Sequence, residues 1–228
     1  HEALTLAKET GDAFIKAMAY SAYGGSCYGK GLFEEAKTHL TEWVSSYEKL
    51  TPMVWIAWNY ANLASLHLDS REYDDAVNCY NKIIPIFESR SFMPSIIKLF
   101  QTSLLRVKVL KHDRDIELSG LFAYYENNKF TWSKARTARN IGDILINIDN
   151  NHLLDAEVWF RKAIDADKKN GFRWELAQDH ACYAGWFRKK GDIQGAKEQL
   201  TKAIDIFREC GADGWVEKYE KELVQIST

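Results

Sequence analysis

Residues 55–84 read WIAWNYANLASLHLDSREYDDAVNCYNKII, and the spacing of their apolar side chains decides the fold. Trp55, Tyr60, Leu63, Ala64 and Leu68 recur at helical intervals. After the polar break Asp69-Ser70-Arg71, so do Tyr73, Ala76, Val77, Tyr80, Ile83 and Ile84. Threes and fours of this kind lay one apolar stripe along each of two helices, A and B, joined by a tight turn. One such hairpin cannot bury both of its faces, so it predicts neighbours of the same kind.

Those neighbours are present. Ala76 has counterparts at Ala36, Ala156 and Ala196, all separated by multiples of 40 residues, and the period predicts a further one at Ile116. Ala123, Ala163 and Ala203 keep the same step, and Lys162-Ala163-Ile164-Asp165 returns as Lys202-Ala203-Ile204-Asp205. Tyr183, Ala184 and Phe187, the turn Gly191-Asp192, and Ala196, Leu200, Ala203 and Ile204 repeat the hairpin of residues 55–84. Gly24, Ala64 and Ala184 stand 12 residues before Ala36, Ala76 and Ala196, which predicts small side chains facing each other where two backbones approach.

The expected fold is therefore all-α: about five antiparallel helix pairs, near 12–51, 52–91, 92–131, 132–171 and 172–211, with a capping helix at 212–228, in one domain spanning 1–228. Pro52 and Pro94 are expected at the starts of A helices, where a missing N–H is harmless, and Pro85 is expected to kink or shorten a B helix. Ala3, Leu4, Leu6 and Gly11 lie 200 residues before Ala203, Ile204, Ile206 and Gly211, so the sequence is expected to open inside a B helix and to be a piece of a longer protein.

Composition narrows the function. Thirty basic and 32 acidic residues are well mixed, so no basic field points to nucleic acid. No apolar run approaches the ~20 residues that span a bilayer. Cys27, Cys79, Cys182 and Cys210 form no CxxC pair and are expected as free thiols in a reducing cytoplasm. His39, His67, His112, His152 and His180 show no HExxH-type spacing, so no metal is expected. The glycines from Gly24 to Gly31 follow no strand and form no phosphate loop. Glu34-Glu35 and Asp74-Asp75 fall at expected B-helix starts, where they suit the helix dipole. With no nucleophile, metal or phosphate constellation, neither an enzyme nor a cofactor is expected.

An aromatic three residues before the helix-B alanine (Phe33, Tyr73), a turn glycine (Gly31, Gly191) and a second alanine seven residues later (Ala163, Ala203) resemble the tetratricopeptide repeat. The 40-residue period is similar to the variant repeats of bacterial MalT-type regulators. Phe207-Arg208-Glu209-Cys210-Gly211-Ala212-Asp213-Gly214-Trp215, followed by Glu217, Lys218, Glu220 and Leu223, is similar to the end of helical arrays in large bacterial signalling ATPases. Some of those carry an adenylate or guanylate cyclase or a kinase domain.

The resemblance implies a right-handed superhelical solenoid whose groove, lined mainly by A helices, binds a protein, a peptide or other domains of the parent chain. The implied role is an interaction, sensor or coupling module in signalling; the alternative is a receptor for a small molecule or signalling peptide. Placing this sequence in that frame puts Tyr28, Trp58, Ser65, Lys98, Gln101, Lys108, Gln178 and Arg188 near the groove. The Lys and Asn set that clamps C-terminal carboxylates in chaperone-binding members is not matched: Ser21, Ala61, Gln101, Ile141 and Ala181 occupy one of its phases.

Overall fold

A computed structural model describes residues 2–50, 53–89, 93–113, 116, 118–128, 130–149 and 151–226. The described residues are all-helical, and their internal contacts separate two compact units, His1–Phe92 and Met93–Thr228.

The first unit contains α1 (Glu2–Thr10), α2 (Ala13–Lys30), α3 (Phe33–Tyr47), a 3-10 turn (Glu48–Leu50), α4 (Met53–Asp69) and α5 (Tyr73–Glu88). The opening helix is thus a B-type helix, followed by the pairs α2–α3 and α4–α5; A helices α2 and α4 also touch. Pro52 lies outside the described residues. Local chemistry sets the boundaries: the Asp12 carboxylate accepts the Ile15 N–H at 2.9 Å and caps α2. Each hairpin then closes with the same long backbone bond, Leu32 N–H to the Cys27 carbonyl and Glu72 N–H to the His67 carbonyl, 40 residues apart. Gly31 takes the left-handed conformation this turn requires (φ 78°), and Arg71 takes it at the equivalent place (φ 62°).

The core of this unit is Ala36, Leu40, Trp43, Tyr60, Ala64, Ala76, Ile83 and Phe87, all buried. The close approach at Gly24 is made to Leu40, whose side chain lies 2.9 Å from where a Cβ would stand, one turn beyond the expected Ala36. Pro85 does not end α5, which runs on to Glu88 and is closed by Ser89 N–H on the Pro85 carbonyl.

The second unit contains α6 (Pro94–Leu110), α7 (Ser119–Glu126), α8 (Thr131–Ile148), α9 (Leu153–Asn170), α10 (Arg173–Lys190), α11 (Ile193–Glu209) and α12 (Asp213–Gln225). Consecutive helices pack from α6 to α12, and A helix α8 touches both α6 and α10. Pro94 opens α6 as expected. The Asp192 carboxylate caps α11 through Gly195 N–H, and Asp192 N–H repeats the long turn bond to the Phe187 carbonyl. The predicted cap helix is α12, held by a stack of Phe207, Trp215 and Tyr219 with Trp174 edge-on.

The third hairpin departs from the period. Its B helix α7 has eight residues and starts only at Ser119, so Ile116 lies before the helix, although it still packs against the core around Ile141 and Trp159. The register also slips: Leu121 is buried, whereas Ala123, in phase with buried Ala163 and Ala203, is exposed. Asp113 stands where Phe33 and Tyr73 stand in the earlier hairpins, so the sequence lacks the apolar residue that opens their B helices. Aromatic contacts fasten the short helix instead, with Phe122 stacked on Trp159 and Lys162 lying 4.2 Å from the Trp159 ring centre and 5.0 Å from that of Tyr125.

Candidate functional site

The A helices carry the eight expected groove residues, and each unit uses its A-helix side chains differently. In the first unit α2 and α4 are joined by hydrogen bonds from an amide and a hydroxyl. Asn59 Nδ2 donates to Ser21 Oγ at 2.8 Å in the buried contact, and the Tyr28 hydroxyl donates to Asp69 Oδ2 at 2.8 Å. Ser65 turns back on its own helix, donating to the Ala61 carbonyl. Of the expected residues here, Trp58 alone presents a large free surface: it is 52% exposed, and Trp55, one turn earlier, is 38% exposed. Ile15, 40 residues before Trp55, is 45% exposed on α2. One turn beyond Trp58, Asn62 Nδ2 is shielded from solvent and has no hydrogen-bond partner among the described residues. The whole of α4 has one acidic residue, Asp69, and no Lys or Arg.

In the second unit the A helices hold an ion ladder. Arg106 on α6 donates through Nε to Asp143 Oδ2 on α8 at 2.5 Å. Arg139 on α8 donates through Nη1 to Asp179 Oδ1 and through Nη2 to Glu175 Oε2, both at 2.8 Å, and Arg136 donates to the other Glu175 oxygen. Arg139 and Asp179 are 40 residues apart, so this bond joins equivalent places in adjacent hairpins. Burial works against every charge here, and the partners outweigh it at several positions. Asp143 holds the Arg106 guanidinium above its ordinary value, Glu175 and Asp179 do the same for Arg139, and the two arginines beside Glu175 keep its carboxyl at about 2. Burial raises the half-buried Cys182 thiol to about 11 even beside Arg106, which disfavours the thiolate.

The remaining expected residues are dispersed around this ladder. Lys98 donates to Gln101 Oε1 at 3.1 Å and lies over the Tyr124 ring, Lys108 is half-buried, and Gln178 is buried with Nε2 lacking a partner. Arg188 is exposed and donates to Glu222 on α12 at 2.7 Å. Arg106, Arg136, Arg139, Asp143, Glu175 and Asp179 were not anticipated as a group. The 40-residue step from Arg139 to Asp179 was the available signal.

Ligand-type atoms of His67, Glu72 and Asp75 lie within 4.8 Å of one another. The His67 Nδ1 to Glu72 Oε2 bond of 2.5 Å and the Lys37 Nζ to Glu72 Oε1 bond of 2.6 Å explain this cluster as a clasp over the α4–α5 turn, tied to α3. The Lys37 bond, then that from His67, holds the Glu72 carboxyl below its usual range.

Among the described residues no helix is long and apolar enough to cross a membrane. No curated protein matches the chain. The tetratricopeptide repeat family matches residues 59–86, which run from the second turn of α4 into the last turn of α5. This hairpin, with Ala64 and Ala76 both buried and a left-handed turn residue at Arg71, is of tetratricopeptide type.

Proposed function

We propose that the chain is a non-catalytic protein-interaction module and that a partner peptide lies on the α2–α4 face of the first unit. The tetratricopeptide-type repeat supports a protein partner. The observation that carries the choice of face is Trp58, an indole half in solvent on a helix with almost no charge. Trp55 and Ile15 extend the apolar surface. Large rigid aromatics of this kind dominate binding energy where they become desolvated. Within a longer protein the partner is a neighbouring domain or a second protein of a signalling pathway; the resemblance of residues 207–215 to the ends of bacterial signalling arrays supports that context.

The test is selection of peptides on the folded protein, followed by calorimetry on wild type and Trp58→Ala. The proposal predicts peptides rich in apolar residues whose affinity falls at least tenfold in Trp58→Ala, about 1.4 kcal/mol, with the melting temperature unchanged. Equal affinity for both proteins contradicts it. A small molecule retained in native mass spectrometry and released by Trp58→Ala, with no peptide selected, moves the reading to a small-ligand receptor.

A further inference from the structure

Asp167 in the last turn of α9 and Asp179 in the middle of α10 are 1% and 0% exposed. Asp179 Oδ1 accepts from Arg139, but Asp179 Oδ2 and both oxygens of Asp167 have no donor among the described residues. Around them three carboxyls, Asp167, Glu175 and Asp179, face two guanidiniums, Arg136 and Arg139. Glu175 takes a donor from each arginine. With every group ionised, the cluster carries one uncompensated negative charge and three acceptor atoms without a donor at its two buried aspartates, with Arg136 and Glu175 partly open to solvent, and burial makes this costly. One retained proton cancels the surplus charge and turns one carboxyl into a donor to the other, which leaves one of the three oxygens without a donor.

We propose that Asp167 and Asp179 share a single proton in the folded protein at neutral pH, so that the α9–α10 junction is a proton-held contact that weakens in alkali. Burial, the largest influence, raises the Asp167 carboxyl to about 6, and it raises that of Asp179 well above the carboxylate range. The nearby Arg139 charge opposes both shifts, whereas Glu175 adds to both. Cys182, also on α10, remains a neutral thiol. From α11, Lys202 acts on the neighbouring His180, as does Lys168 of α9.

The sign follows from linkage. An unfolded Asp releases its proton near ~3.9, and the folded pair keeps one well above that. Stability from the pair is therefore fully present below the unfolded value and is lost as pH rises through the folded values. One extra bound proton lowers the folding constant by about tenfold per pH unit where it is held.

Side-chain carboxyl carbon resonances titrated by NMR on the wild-type protein test this directly. The proposal expects one aspartate midpoint near 6 and a second higher one; ordinary midpoints near 4 for every aspartate overturn it. Urea denaturation from pH 5 to 8.5 adds a second readout. In Asp167→Asn the amide supplies the missing donor to Asp179, so the alkaline loss of wild-type stability should shrink by about tenfold per pH unit; an identical pH slope in the two proteins overturns the proposal. If Asp167→Asn does not fold, the wild-type titration still decides.

Discussion

In the first unit A helices α2 and α4 meet through Asn59 and Ser21, and in the second unit α6 and α8 meet through the same pairing, Asn140 Nδ2 donating to Ser103 Oγ at 2.9 Å. Beyond this shared bond the units diverge. The first leaves Trp55 and Trp58 in solvent on a face nearly without charge, whereas the second fills the corresponding helices with Arg106–Asp143 and the Arg136, Arg139, Glu175, Asp179 cluster. A stacked hairpin needs one apolar stripe on each helix for its core, so the other A-helix face is free to differ. An apolar face with no protein neighbour suits a partner. Charges paired across adjacent helices suit a specific junction, because most of their polar atoms are engaged with one another.

The largest effect that would sharpen this contrast is Arg139→Met. It leaves Asp179 and Glu175 buried against a thioether, and urea denaturation at pH 7 should show a loss of about 3–5 kcal/mol. A loss under 1 kcal/mol would mean that the ladder does not hold the hairpins. Overpacking should cost the two units alike: Ala76→Leu and Ala196→Leu, at side chains with no exposure, are each expected to lose about 1–3 kcal/mol. Unchanged melting in both would refute the repeat phase. Asn59→Ala removes the neutral tie and leaves the buried Ser21 hydroxyl without its donor, for an expected loss of about 1 kcal/mol. The smallest change has the opposite sign. Arg71→Gly relieves a left-handed arginine at a place where Gly31 and Gly191 stand in sister hairpins, and a gain of up to about 1 kcal/mol is expected in the same assay.

The hairpins were legible in the sequence because their determinants are local and periodic: buried alanines in phase on the B helices and glycines at the turns. The third hairpin was legible only in outline. With no turn glycine and Asp113 in the place of Phe33 and Tyr73, nothing local showed that the register would move from Ala123 to Leu121. The ion ladder shows a different limit. A charge on an amphipathic helix ordinarily marks a solvated face, and whether a neighbouring hairpin covers it is decided by tertiary packing. The spacing of Arg139 and Asp179 was visible, but their burial was not. For the candidate binding face, Trp58 could be placed on the A-helix side by its phase, while Trp55 and the orphan amide of Asn62 emerged only from the packing of α4 against α2.

The Trp55 and Trp58 face of the first unit is proposed to take the partner, while the charged A helices of the second unit serve the fold. Amide and indole NMR shifts, followed while a selected peptide is added to the wild-type protein, test it most directly. The account predicts shifts at Trp55, Trp58 and Asn62, with Arg139, Glu175 and Asp179 unmoved. Shifts confined to α6, α8 and α10 would contradict it.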